Sequence, residues 1–135
     1  MQMELLPAGA DGRPLMRIFG TAQVDFAALL AACRSLAAAP GQTCRLHEHA
    51  GFAALNDCRL TMMSSGDGES RRTGGGREVY WSLPPEGWST VAGLIEPFAT
   101  EARPGTFQWL AGPEARFGPC TDLAVLLSCT PEGRW

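Results

Sequence analysis

The sequence predicts an α+β domain in which a strand-helix-strand-strand unit occurs twice, building a mainly antiparallel sheet with two helices on one face. Three observations carry this prediction. Two stretches place apolar residues at helical spacing, each follows a short strand-like run, and each leads through a Pro-Gly step into two more apolar runs of strand length.

In chain order, the first element is "PLMRIFG", Pro14 to Gly20, a short strand. The following "TAQVDFAALLAACRSLAAA" puts Phe26, Leu29, Leu30, Cys33 and Leu36 on one helical stripe, with Thr21 as N-cap and Pro40-Gly41 as the stop. "QTCRLHEH" and "DCRLTMMSS" read as two strands joined by a loop containing Gly51 and Asn56. "SSGDGESRRTGGGR", Ser64 to Arg77, is polar, glycine-rich and aperiodic, so residues 66–77 are expected to be a linker. "EVYWSLP" is the next strand. Pro84-Pro85-Glu86 suits a helix start, and Trp88, Val91, Ile95 and Phe98 form its stripe, with Pro97 ending or bending the last turn. "TFQWLAG" and "TDLAVLLSC" complete the second unit.

The halves, about 14–65 and 78–129 of a single domain spanning 1–135, align by these stripes. Phe26 matches Trp88 and Cys33 matches Ile95; Pro40-Gly41 then matches Pro104-Gly105, Leu46 matches Leu110, and Met62-Met63 matches Leu126-Leu127. Strand alternation sorts the faces. With Leu46, Leu60 and Met62 under the helices, the open face carries Arg45, His47 and His49 from one half and Phe107, Trp109 and Ala111 from the other. One wall is cationic and the other aromatic, as a small-ligand surface requires.

A length of 135 residues suits one domain that buries roughly two-thirds of its unfolded surface. The net charge of -3 supplies no basic stripe for nucleic acid. All 11 basic residues are Arg, as in a GC-rich bacterial coding bias, which lowers the functional weight of any one Arg. The N-terminus lacks the pattern of a signal peptide and no apolar run reaches membrane-spanning length, so a cytoplasmic protein without a membrane partner is expected. Cys33, Cys44, Cys58, Cys120 and Cys129 are then expected to be thiols.

The doubled plan resembles the gyrase-inhibitor-like (GyrI-like) effector-binding family. "MELLPAG" is similar to that family's opening strand and turn, and "PGTFQWLAGPEARFGPCTDLAVLLS" to its closing pattern of aromatic strand, proline-bearing loop and hydrophobic strand. The resemblance implies a ligand groove between the halves and an acidic residue within it, for which Glu48, Glu78 and Glu114 are the candidates. The chain is shorter than typical members.

Other chemistry finds less support. Cys44, His47, His49 and Cys58 have the residue types of a zinc site, but alternation puts the two His and the two Cys on opposite faces, so no metal is expected. Cys120 beside Asp122 lacks an assembled base, and the glycine-rich segment lacks the Gly-Lys-Ser/Thr ending of a phosphate loop.

The reading is therefore a noncatalytic domain without cofactor, binding a small, partly apolar or aromatic ligand on its open sheet face. Trp109, Phe107 and Trp81 pack against the ligand, while Arg45, His47 and His49 orient a polar group. The rival class is a protein-interaction module, such as a bacterial immunity protein or secretion chaperone, using the same face or a strand edge. A hydrolase in the same groove is a third reading, without a catalytic set to support it.

Overall fold

The computed structural model describes residues 1–10, 13–65, 70–73, 77–111 and 123–130. A hairpin opens the chain, β1 Gln2–Ala10 and β2 Arg13–Gly20, followed by α1 Gln23–Ala38 and β3 Thr43–Arg45. Two tight turns, Leu46–Glu48 and Leu55–Asp57, flank the two-residue β4 Ala53–Ala54. Then come β5 Arg59–Ser64, β6 Ser70–Thr73, β7 Glu78–Leu83, α2 Pro85–Thr100, β8 Phe107–Ala111 and β9 Ala124–Cys129.

In chain order β2-α1-β3-β4-β5 is followed by β6 and then β7-α2-β8-β9, so each helix follows a strand, but β4 interrupts the expected first strand-helix-strand-strand unit and β1 and β6 lie outside the two expected units. The expected single, mainly antiparallel sheet is not what forms. There are two mixed sheets, ordered β4-β1-β2-β9-β8 and β3-β5-β7-β6. Each is built around a parallel pair drawn from different parts of the chain, β2 with β9 and β5 with β7. Part of the expected linker is a strand: β6 pairs antiparallel with β7.

The helices form as their stripes require. Phe26, Leu29, Leu30, Cys33 and Leu36 are buried on α1, and Trp88, Val91, Ile95 and Phe98 on α2. The two stripes meet, with the Phe26 and Phe98 rings 5.3 Å apart. Ala22 rather than Thr21 occupies the N-cap of α1, and no side chain caps it. Pro97 lies inside α2, which continues to Thr100. Pro97 has no N–H to give the carbonyl of Gly93 four residues back, while its own carbonyl accepts the N–H of Glu101 just past the helix end.

One continuous core lies between the helix pair and both sheets, taking Met3, Met16, Ile18, Val125 and Leu127 from one sheet and Leu60, Met62, Val79 and Trp81 from the other. At its centre the Trp81 and Trp88 rings meet at 4.7 Å, and Trp88 Nε1 donates to the Met63 carbonyl at 2.8 Å. Burying an aromatic side chain of this kind contributes about 2–3 kcal/mol.

Two Pro-Gly turns set the strands after each helix. Gly41 and Gly105 both have φ of 85°, a conformation that favours glycine. The Gly41 N–H donates to Ser64 O at 2.7 Å and the Ser64 N–H to Gln42 O at 2.9 Å. The Gly105 N–H donates to Cys129 O and the Cys129 N–H to Thr106 O, each at 2.8 Å. These bonds equate Ser64 with Cys129, so the alignment of Met62-Met63 with Leu126-Leu127 slips by one residue. Met62 and Leu127 face the core, whereas Leu126 belongs to the opposite face.

Candidate functional site

The face of the five-stranded sheet away from the helices is built by alternation. Met3, Leu5, Met16, Ile18, Val125 and Leu127 point inward. Their neighbours in the strands therefore point to the opposite face, where Leu15, Phe19, Ala124, Leu126 and Ser128 are themselves buried, and the strand register aligns these in rows. One row crosses four strands: Glu4 opposes Arg17, Arg17 opposes Leu126, and Leu126 opposes Trp109. A second aligns Leu6, Leu15 and Ala124, and a third aligns Gln2, Phe19, Ser128 and Phe107.

Leu15, Ala124 and Leu126 form an apolar cluster against which Leu6 and Trp109 pack. Within this setting the Arg17 guanidinium lies 3.6 Å from the Glu4 carboxylate and 5.8 Å from the Phe19 ring centroid. Burial pulls the Arg17 guanidinium below its usual value, and the neighbouring Glu4 carboxylate acts in the opposite sense. The attraction within an ion pair on an apolar, partly dehydrated floor is less screened than in water.

The predicted residues are dispersed. Trp109 takes the side opposite Leu110, on the helix-free face, as its register required. Phe107 shares that face by register and is 63% exposed on the outermost strand. Ala111, expected beside them, is core, because the register of β8 shifts between Trp109 and Ala111. Trp81 is also core, 1% exposed against Trp88, so ligand contact is corrected to core packing.

Arg45, His47 and His49 do not form one wall. The strand ends at Arg45 and the turn at Leu46–Glu48 breaks the alternation. Arg45 pairs with Glu48 at 3.4 Å on the surface. His47 accepts the Leu60 N–H through Nδ1 at 3.1 Å and lines a cleft of about 540 Å³ with Asp57, Arg59, Arg77 and Glu78. His49 turns into another cleft, where its Nε2 is 3.6 Å from Cys44 Sγ.

The same break disperses the zinc-like residue set, since the Cys58 thiol donates to the Met3 carbonyl at 3.6 Å. Among the described residues, no group of three or more His, Cys, Asp or Glu side chains converges. Of the groove-acid candidates, Glu48 and Glu78 are held by surface arginines, Arg45 and Arg59. Glu114, Cys120 and Asp122 lie outside the described residues.

Sequence reasoning missed Glu4 and Arg17. The alternation of "MELL" and "LMRIF" carried the signal: apolar Met3, Leu5, Met16 and Ile18 point to the core, leaving Glu4 and Arg17 opposite. Among the described residues, no helix is long and apolar enough to cross a membrane. The chain matches no family model, no curated protein and no solved structure.

Proposed function

We propose that this protein is a noncatalytic binding domain for a small, partly apolar or aromatic ligand, with the helix-free face of the five-stranded sheet as the platform. The observation that supports it is the transverse row Glu4, Arg17, Leu126 and Trp109, which sets an ion pair beside the buried apolar cluster of Leu15, Ala124 and Leu126, with Glu4, Arg17 and Trp109 half-buried at its margin. The indole supplies a stacking surface. The Glu4–Arg17 pair supplies the oriented polar contact, in place of Arg45, His47 and His49.

The gyrase-inhibitor-like resemblance and the internal duplication belong to the same proposal. Three features support a duplication: the parallel pairs β2-β9 and β5-β7, the antiparallel pairs β3-β5 and β8-β9, and the matching Pro-Gly hydrogen bonds. In this reading each unit lends its two final strands to the sheet of the other.

The test is a thermal-shift screen of aromatic carboxylates and aromatic amines against wild type, Trp109→Ala, Arg17→Met and Glu4→Gln. A hit lost in Trp109→Ala and altered by only one of the two charge variants supports the platform and identifies the sign of the polar group. Hits that bind all four proteins equally place the ligand elsewhere.

A second reading, a protein-interaction module, has one observation in its favour. β8 is the last strand of its sheet and carries the exposed Phe107. An edge strand with an exposed aromatic suits strand addition by a partner chain. Phe107→Asp separates the readings: it abolishes partner capture while leaving a ligand on Trp109 bound.

A further inference from the structure

Away from the sheet face, the chain brings a thiol and an imidazole together. β3 stops at Arg45, and the turn through Leu46–Glu48 returns His49 toward Cys44, with Sγ and Nε2 3.6 Å apart. The imidazole stands edge-on to Phe52, with the ring centroids 6.4 Å apart. The pair opens onto a cleft of about 390 Å³ whose lining includes Ser35, Gln42, Thr43 and Arg45. Among the described thiols, Cys33, Cys58 and Cys129 are buried and Cys44 is half-buried. Access, a base and a cavity therefore coincide at Cys44 alone among them.

We propose that Cys44 is a reactive thiol with His49 as its base, and that this cleft admits a small disulfide for thiol–disulfide exchange. In the tautomer with hydrogen on Nδ1, His49 Nε2 accepts the Cys44 Sγ proton. The resulting thiolate attacks one sulfur of the incoming disulfide, so a new S–S bond forms as the old one breaks. The departing thiolate takes the proton back from the imidazolium and leaves as a thiol. Cys44 is oxidised to the mixed disulfide and half of the reagent is reduced, so protons and electrons balance.

The surroundings make the base matter. Burial pushes the Cys44 thiol up, so few thiolates form at neutral pH without a nearby acceptor. Among the described residues, the other charged or titratable groups near the cleft are Arg45 and Glu48, which are paired with each other, and Cys33 beneath, whose thiol is pushed up to about 12.

The experiment uses the full chain carrying Cys120→Ser and one equivalent of dithiodipyridine, with release of the thione followed by absorbance and the modified residue located by peptide mass spectrometry. Cys44 is expected to react first. In His49→Ala and in His49→Gln its rate at pH 7 falls by roughly tenfold or more, a modest share of what a positioned base supplies. The deficit narrows as pH rises and the thiol ionises unaided. First modification at Cys33, Cys58 or Cys129 overturns the proposal, and this measurement needs no His49 variant. Unchanged rates in both variants, or an equal deficit at every pH with circular dichroism unchanged, overturns it as well.

Discussion

Each sheet carries an ion pair between neighbouring strands on its helix-free face, and the two pairs differ in their surroundings. Glu4 and Arg17 lie beside Leu6, Leu15, Leu126 and Trp109, with side chains 26% and 16% exposed. Arg59 and Glu78 bridge β5 and β7 at 3.2 Å, but the arginine is 61% exposed. The same chemistry therefore meets two dielectric environments. A hydrated pair contributes little because water and salt screen it, whereas a pair on an apolar floor is costly to leave half-made. The first pair sits where its charges are poorly screened; the second sits largely in solvent.

The largest expected effect removes the core that both faces share. Trp88→Ala should cost about 3–5 kcal/mol in denaturant unfolding, because it leaves a cavity beneath Trp81 and the Met63 carbonyl without its donor. Both faces should then fail together; loss of one alone would mean that the sheets fold independently.

Alkaline pH tests the same core through its thiols. The Cys33 thiol is pushed up to about 12 by burial, with Cys44 adding to the shift. Above the unfolded thiol's value the unfolded chain has lost a proton that the folded chain retains, so stability falls as pH rises. The expected slope for Cys33 is about 1.4 kcal/mol per pH unit between roughly pH 9 and 12. Cys33→Ala should flatten that limb in unfolding midpoints measured against pH.

Arg17→Met and Arg59→Met sharpen the comparison directly. Losing Arg17 should cost about 1–3 kcal/mol by leaving the Glu4 carboxylate short of a partner on an apolar floor. Losing Arg59 should change stability by about 0.5 kcal/mol or less, and that change should shrink further in salt. Equal losses would show that burial does not distinguish the two pairs.

Trp109→Ala should have a smaller effect on stability, about 1–2 kcal/mol, since its indole covers Leu126 without filling the core. Under the proposed function its signature is lost ligand binding in a folded protein. A loss in the range expected for Trp88→Ala would instead make Trp109 a core residue and remove it from the platform.

What the sequence determined by itself was local. The stripes at Phe26–Leu36 and Trp88–Phe98 specify helices because only one face of each can be buried. The Pro-Gly steps at Pro40 and Pro104 set the turns into the following strands, because Gly41 and Gly105 take a positive φ that costs glycine little. The opposition of Trp109 to Leu110 follows from the period of a strand.

Tertiary structure decided what depends on a distant partner. Two sheets form, and not one, because β2 bonds to β9 and β5 to β7, pairings that no local pattern encodes. Leu126 and Leu127 are both apolar, so composition could not choose which faced the core; the hydrogen bonds of Cys129 to the Gly105 turn did. His47 and His49 parted because β3 stops at Arg45, and the chain then crosses to the other sheet. There Asn56, at φ of 51°, donates to the Leu5 carbonyl and β4 joins β1. Glu4 and Arg17 became a partly buried pair by the same route: each is an ordinary charged residue in sequence, and strand register supplied the partner and the apolar floor that change its energy.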